Sequence, residues 1–249
     1  MRRLAALTAL LCMGAAKPVL VPDVSDNEVQ IIYSFTGAEL LLFGAILYPR
    51  GRQPDHPADI AVVLKGPTQS ILVREKQKVA GMWLNADSAR FRSAPTFYAV
   101  ASSRPLSQLI DQRTAAIYEL GLDSLQMSPA SGAPPAEQAR FENGLVDLKR
   151  RSGLYVEDAH GVSIRDGALY RAQIAIPARV PVGRYIAETF LIQDGKVVAG
   201  AVREVDIGKQ GFERFVTLAA HRWPFTYGLV AVAVSLAIGW AAGALFRRN

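Results

Sequence analysis

The sequence predicts a mainly β chain: one or two immunoglobulin-like sandwich units with a helical insertion, followed by a single C-terminal transmembrane helix. Three observations carry this reading. Short apolar stretches set apart by Gly, Pro, Asn and Asp recur on both sides of residues 105–153, as strands of an antiparallel sandwich do. The phrase Ile176-Pro177-Ala178-Arg179-Val180-Pro181-Val182-Gly183-Arg184-Tyr185 has the Pro and Gly that turn a chain ahead of a Tyr-bearing strand in exported immunoglobulin-like domains. Residues 225–246 hold no charge, and as a helix they would be about 33 Å long, enough for a hydrocarbon core of about 30 Å.

The elements follow in order. Arg2 and Arg3 precede an uncharged Leu- and Ala-rich stretch, and Gly14 and Ala16 stand at −3 and −1 of a cut before Lys17. Residues 1–16 therefore read as a secretory signal peptide, too short for a stable span; the alternative is an uncleaved anchor. Cys12 is the only cysteine. Its loss with the signal would leave a mature chain that takes its stability from a hydrophobic core and not from disulfides.

Residues 17–104 read as an N-terminal β-rich region. Val29, Ile31, Tyr33 and Phe35 alternate with polar neighbours, and residues 40–47 are apolar on both faces, as in a central strand. Further strands are expected at 60–64, 71–73, 79–84 and 96–101, with turns at Gly37, 49–57, Gly66-Pro67 and Asn85-Ala86-Asp87. Trp83, inside an apolar strand, is expected in the core rather than stacking on a sugar.

Residues 105–153 read as a helical insertion. Pro105 suits a first turn, Leu106, Leu109, Ile110 and Ile117 form a face, and Gly121 suits an end. Residues 128–135 read as a loop. Phe141, Leu145 and Leu148 then follow at helical spacing, Lys149-Arg150-Arg151 form a solvated last turn, and Gly153 stops the helix. Residues 154–207 return to strands at 154–157, 169–176, 184–193 and 196–207, the last two joined by Asp194-Gly195, a hairpin signal. If there are two sandwich units, the insertion is their boundary. Residues 208–224 read as a juxtamembrane helix, or as an extension of the span's own helix.

Arg247 and Arg248 after the span favour the cytoplasmic side, so residues 247–249 read as a cytoplasmic tail. Trp223 and Tyr227 fall near one interface and Trp240 toward the other. The expected location is a bacterial inner membrane, single-pass, with the bulk in the periplasm. The formal charge of +6 owes four of its arginines to Arg2, Arg3, Arg247 and Arg248; the rest gives 24 bases against 22 acids, which offers nothing to nucleic acid.

Chemistry is sparse. His56, His160 and His221 lie far apart with no metal-ligand spacing, so no metal, cofactor or catalytic residue is assigned. There is no G-x-S-x-G elbow, S-x-x-K pair or glycine-rich phosphate cradle. One interaction motif stands out: Ala231, Ser235, Gly239 and Gly243 recur every four residues. Small residues in a stripe let helix backbones approach, so Ser235, Gly239 and Gly243 are the candidate packing residues within the bilayer.

Several short phrases occur in a recognisable order. They are Ser34-Phe35-Thr36-Gly37-Ala38-Glu39-Leu40, Phe43-Gly44-Ala45, Lys65-Gly66-Pro67, Met82-Trp83-Leu84-Asn85-Ala86, Gly153-Leu154-Tyr155 and Gly211-Phe212-Glu213-Arg214 before the single span. In these the chain resembles the putative transmembrane protein family of alphaproteobacteria, which has no assigned activity. The resemblance implies an inner-membrane protein with a periplasmic domain. It also implies a partner among polytopic membrane proteins, such as a sulfite-exporter-type permease, and it supplies no catalytic residues. Three functions are compatible with the sequence: an interaction or accessory subunit of a transporter or envelope complex, a periplasmic ligand-binding or sensing module, and a membrane-bound hydrolase. Self-association through the span is an alternative to a foreign partner.

Overall fold

The computed structural model describes residues 18–24, 28–32, 37–49, 57–130, 132, 134–210, 216 and 219–246. The expected signal peptide, His56 and the tail 247–249 lie outside the described residues.

Thirteen strands are described: β1 (Val19–Val24), β2 (Glu28–Ile32), β3 (Ala38–Leu47), β4 (Asp59–Lys65), β5 (Thr68–Val79), β6 (Met82–Pro95), β7 (Tyr98–Ser102), β8 (Ser128–Pro129), β9 (Tyr155–Asp158), β10 (Val162–Arg165), β11 (Leu169–Ile176), β12 (Gly183–Gln193) and β13 (Lys196–Gln210). The helices are α1 (Leu106–Leu109), α2 (Gln112–Tyr118), α3 (Pro135–Arg151) and α4 (Pro224–Phe246), with a 3-10 turn at Leu122–Ser124.

The strands form a four-stranded sheet in the order β1-β3-β11-β10, a six-stranded sheet in the order β2-β13-β12-β4-β7-β9, and a three-stranded sheet β5-β6-β8. The insertion does not divide the sandwich. β3 pairs with β11, β4 with β12 and β7 with β9, so each large sheet draws strands from both sides of it.

Alternation explains the layers. Leu20, Leu40, Leu42 and Ile46 point from the four-stranded sheet at Ile60, Val62, Leu64, Tyr185, Ala187 and Val205 of the six-stranded sheet. The opposite parity of the six-stranded sheet, with Ala61, Val63, Tyr98, Val100 and Tyr155, packs under Leu106, Leu109, Ile110 and Leu120 of the insertion. β4 is therefore apolar at consecutive positions because both its faces are covered. Arg203 on β13 donates two hydrogen bonds (3.2 and 3.0 Å) to the Pro22 carbonyl oxygen on β1, tying the two sheets at one edge.

The phrase that signalled a sandwich carries the chain from β11 in one sheet to β12 in the other. Tyr185 is fully buried, and its hydroxyl donates to the Pro181 carbonyl oxygen at 2.7 Å, as in the tyrosine corner of immunoglobulin-like domains. Asp194 and Gly195 make the expected β12–β13 turn with φ of +48° and +75°, the left-handed pair of a type I′ hairpin.

The insertion departs from the single helix expected after Pro105. Ile110 is extended (φ −145°, ψ 156°), and Asp111 starts α2 by accepting the Thr114 N–H at 2.8 Å. A local cap thus outcompetes helix continuation. The chain leaves α2 at Glu119, which takes the left-handed conformation, and Ile117 is exposed. α3 buries Phe141 and Leu145 as expected, but Leu148 is exposed. It ends at Gly153 with Gly153 N–H to Arg150 O and Leu154 N–H to Lys149 O, at 2.9 Å each, a Schellman closure. In its last turn Arg151 pairs with Asp147 at 2.7 Å, and Lys149 stands 6.0 Å over the Tyr155 ring, where burial lowers its pKa.

The largest correction concerns residues 79–84. They are the tip of a long hairpin, turned at Ala80 (φ +50°) and Gly81 (φ +88°), and the expected turn at Asn85–Asp87 is instead an irregularity within β6. Trp83 is 68% exposed rather than core. The base of the hairpin is covered by α3, where Val73, Ala89 and Phe91 meet Phe141 and Leu145. Arg140 reaches Glu75 and Asp87 at 3.3 and 3.4 Å.

Candidate functional site

Three features are open to a ligand or partner. The first is the span. Every side chain described from Pro224 to Ala241 is exposed, and α4 at 23 residues is about 35 Å long. Trp223 N–H donates to Ala219 O (3.0 Å) and Tyr227 N–H to Trp223 O (2.9 Å), so helical bonding runs through Pro224 into the span. Ser235 donates its hydroxyl to the Ala231 carbonyl oxygen at 2.8 Å. Its polar group is thus satisfied within the helix, as apolar surroundings require. At Gly239 and Gly243 an added Cβ would meet nothing within 4 Å. The stripe expected at Ser235, Gly239 and Gly243 therefore lies on one open helical face.

The second feature is the outer face of the four-stranded sheet. Pairing sets Val19 opposite Leu47, Val21 opposite Ala45, and Ala45 opposite Leu169. Val19, Leu47 and Leu169 are each more than half exposed, Val21 nearly so, and Phe43 somewhat over a third. An antiparallel sheet with one face in water normally alternates polar residues outward. Here the outward positions are apolar at one end of three neighbouring strands, at Val19, Val21, Ala45, Leu47 and Leu169, as at contact surfaces. Further along, Asp23 and Arg171 flank Phe43, and Glu39 and Gln173 add polar groups to the face. The sequence signal was present in the two-sided apolar character of residues 40–47, which also suits a strand covered on both faces.

The third feature is a cleft of about 440 Å³ between the helical insertion and β9. Leu106, Ile110 and Leu120 form its apolar part; Asp111, Asp123 and Glu157 supply carboxylates. Two of these are engaged. Asp111 caps α2, and bonding from the Thr114 side chain and N–H holds it below the usual carboxylate range; Glu157 accepts the Leu122 N–H at 3.3 Å. Nearby, Tyr98 donates to Glu119 O (2.7 Å) and accepts the Gly121 N–H (3.0 Å), and burial raises its pKa.

Among the described residues no three His, Cys, Asp or Glu side chains gather as a metal site. His160 is exposed, its backbone N–H bonded to Asp158 at 2.9 Å, and His221 lies in the helical turn before the span.

A family model described as "Putative transmembrane protein (Alph_Pro_TM)" matches residues 19–248. The comparison with curated proteins gave no match. Among solved structures, the crystal structure of Spo0M, sporulation control protein, from Bacillus subtilis is similar at 8% identity and a TM-score of 0.33. That alignment covers 83% of this chain and 56% of that one. A likeness of that size carries no argument about fold or role.

Proposed function

The chain belongs to the putative transmembrane protein (Alph_Pro_TM) family, and from that membership we propose that it acts by contact, as an anchored accessory subunit of a membrane complex. In this reading α4 crosses the inner membrane once, the sandwich faces the periplasm and the C-terminus is cytoplasmic. The observation that carries the reading is the outward apolar cluster of Val19, Val21, Leu47 and Leu169 on a domain held beside the bilayer. Such a cluster costs solubility when bare and is stabilised when a partner covers it. The open stripe at Ser235, Gly239 and Gly243 offers the same partner a close helix contact. A polytopic transporter of the sulfite-exporter type is the first candidate, and a second copy of the chain is the other.

The test is capture of the full-length protein from membranes in mild detergent. Val21→Lys on the sheet face and the pair Gly239→Leu and Gly243→Leu in the span should each lose the partner while the protein stays folded and membrane-bound. Retention of the same partner by both variants contradicts the proposal.

The cleft beside β9 supports a second reading, a ligand-binding or sensing module. It predicts a thermal shift on addition of a small ligand, and loss of that shift in Glu157→Gln. A broad ligand screen that moves no transition removes it.

A further inference from the structure

We propose that the tip of the β5–β6 hairpin, Val79 to Leu84, inserts into the interface of the membrane that α4 spans, with Lys76 and Lys78 on anionic lipid headgroups. This rests on the reading of α4 as a membrane anchor.

The first argument is direction. β4 and β13 both run antiparallel to β12, so the Lys65 end of β4 and the Gln210 end of β13 lie at the same end of the six-stranded sheet. β13 is the last strand before the span in chain order, so the chain continues to the span from that end. The hairpin leaves from it too, because the β4–β7 ladder continues without a gap into β5–β6. Gly66 N–H donates to Phe97 O (2.8 Å), Thr96 N–H donates to Pro67 O (2.9 Å), and Thr68 pairs with Pro95. With 12 residues, β5 reaches about 40 Å from this root.

The second argument is the arrangement of side chains. Val73 is the last position of β5 buried by α3; the six residues beyond it project roughly 20 Å. Val79 pairs with Met82, Lys78 with Trp83 and Gln77 with Leu84. Opposite residues share a face and successive residues alternate. One face of the tip therefore carries Val79, Met82 and Leu84, and the other carries Trp83 beside Lys78 and Lys76. Met82 and Trp83 are 63% and 68% exposed. A protein groove that covered one face would leave the other bare, whereas end-on entry into a lipid interface covers both.

The third argument is charge. The acids of the hairpin are Glu75 and Asp87, and both pair with Arg140. Among the described residues Lys76 and Lys78 have no salt bridge, so the charge nearest the tip is positive. Tryptophan with flanking lysines is the composition favoured at a headgroup boundary.

The experiment uses the full-length chain reconstituted in vesicles of phosphatidylcholine and phosphatidylglycerol in equal parts, with or without brominated acyl chains. The protein has three tryptophans. One variant keeps Trp83 (Trp223→Phe with Trp240→Phe), and another keeps Trp240 (Trp83→Phe with Trp223→Phe). Brominated lipid should remove most of the Trp83 emission, and Lys76→Gln with Lys78→Gln should restore a large part of it. Quenched Trp240 with unquenched Trp83 overturns the proposal while leaving the anchor intact, and transfers the tip to a protein partner or to water. Unquenched Trp240 overturns the anchor, and the proposal with it.

Discussion

The Tyr185 hydroxyl donates a 2.7 Å hydrogen bond to the Pro181 carbonyl oxygen at the bend between the two sheets of the sandwich. Tyr185 is fully buried in the core that Leu64, Ile176 and Val205 share. Tyr185→Phe keeps the ring and removes the bond. The expected loss is about 1 kcal/mol, read as a fall in the melting temperature of roughly 2–4 °C. An unchanged transition would show that the bond is decorative.

Gly44 sits in β3 where space is shortest. A Cβ there would stand 2.5 Å from the Val21 carbonyl oxygen and 2.6 Å from the Tyr170 hydroxyl oxygen. The first of these is backbone of the paired strand and has little room to yield. Gly44→Ala should destabilise by about 1–3 kcal/mol, measured by urea unfolding of the purified protein, with β1 the first strand to lose amide protection. Wild-type stability in this variant would mean that β1 is not held as described.

The third prediction separates packing from charge beneath the hairpin. Phe141 is buried against Val73, Ala89 and Phe91, whereas Arg140 makes its two ion pairs from a half-exposed position. Phe141→Ala should cost about 3–5 kcal/mol, and Arg140→Ala less than about 1 kcal/mol. Hydrogen exchange should show the Phe141 variant loosening β5 and β6 before the sandwich. Equal effects of the two variants would contradict the assignment.

Alkaline pH gives a fourth. Burial raises the phenol pKa values of Tyr98, Tyr155 and Tyr185, that of Tyr185 to about 12. In the unfolded chain these groups titrate near 10. A raised pKa in the fold means that folding favours the neutral phenol. The contribution is complete below about pH 10 and is lost as the pH climbs toward 12. The urea midpoint should therefore hold up to about pH 10 and then fall, with part of the tyrosinate absorbance appearing only with unfolding. If all eight tyrosines titrate together near pH 10, the buried set is wrong.

What the sequence disclosed follows from where periodicity is decisive. β11 alternates buried and exposed residues without a break, and the Asp194-Gly195 turn uses residues suited to positive φ, so both were legible. The span was legible from length and lack of charge alone. The hairpin tip was hidden because Ala80, a residue that seldom marks a left-handed turn, occupies one, while Asn85-Ala86-Asp87 looks like a turn and lies inside β6. Trp83 misled for a related reason: an apolar strand end is expected to be buried unless something outside the chain covers it. The break at Ile110–Asp111 depended on competition between a cap and a helix, which apolar spacing does not register. β1 and β10 were missed; the first is only six residues and the second four. The outward apolar cluster needed the cross-strand pairing of β1, β3 and β11, which no single stretch of sequence contains.

The central claim is that α4 crosses a membrane and holds the sandwich outside the cytosol. Cys12 is the only cysteine, so a thiol placed by Ser163→Cys, at an exposed position on β10, reports its own compartment once Cys12 is replaced or removed. In cells with a permeabilised outer membrane and an intact inner one, a membrane-impermeant maleimide should label Ser163→Cys at once and label Asn249→Cys only after lysis. Labelling of the Ser163 variant only after lysis would contradict the account.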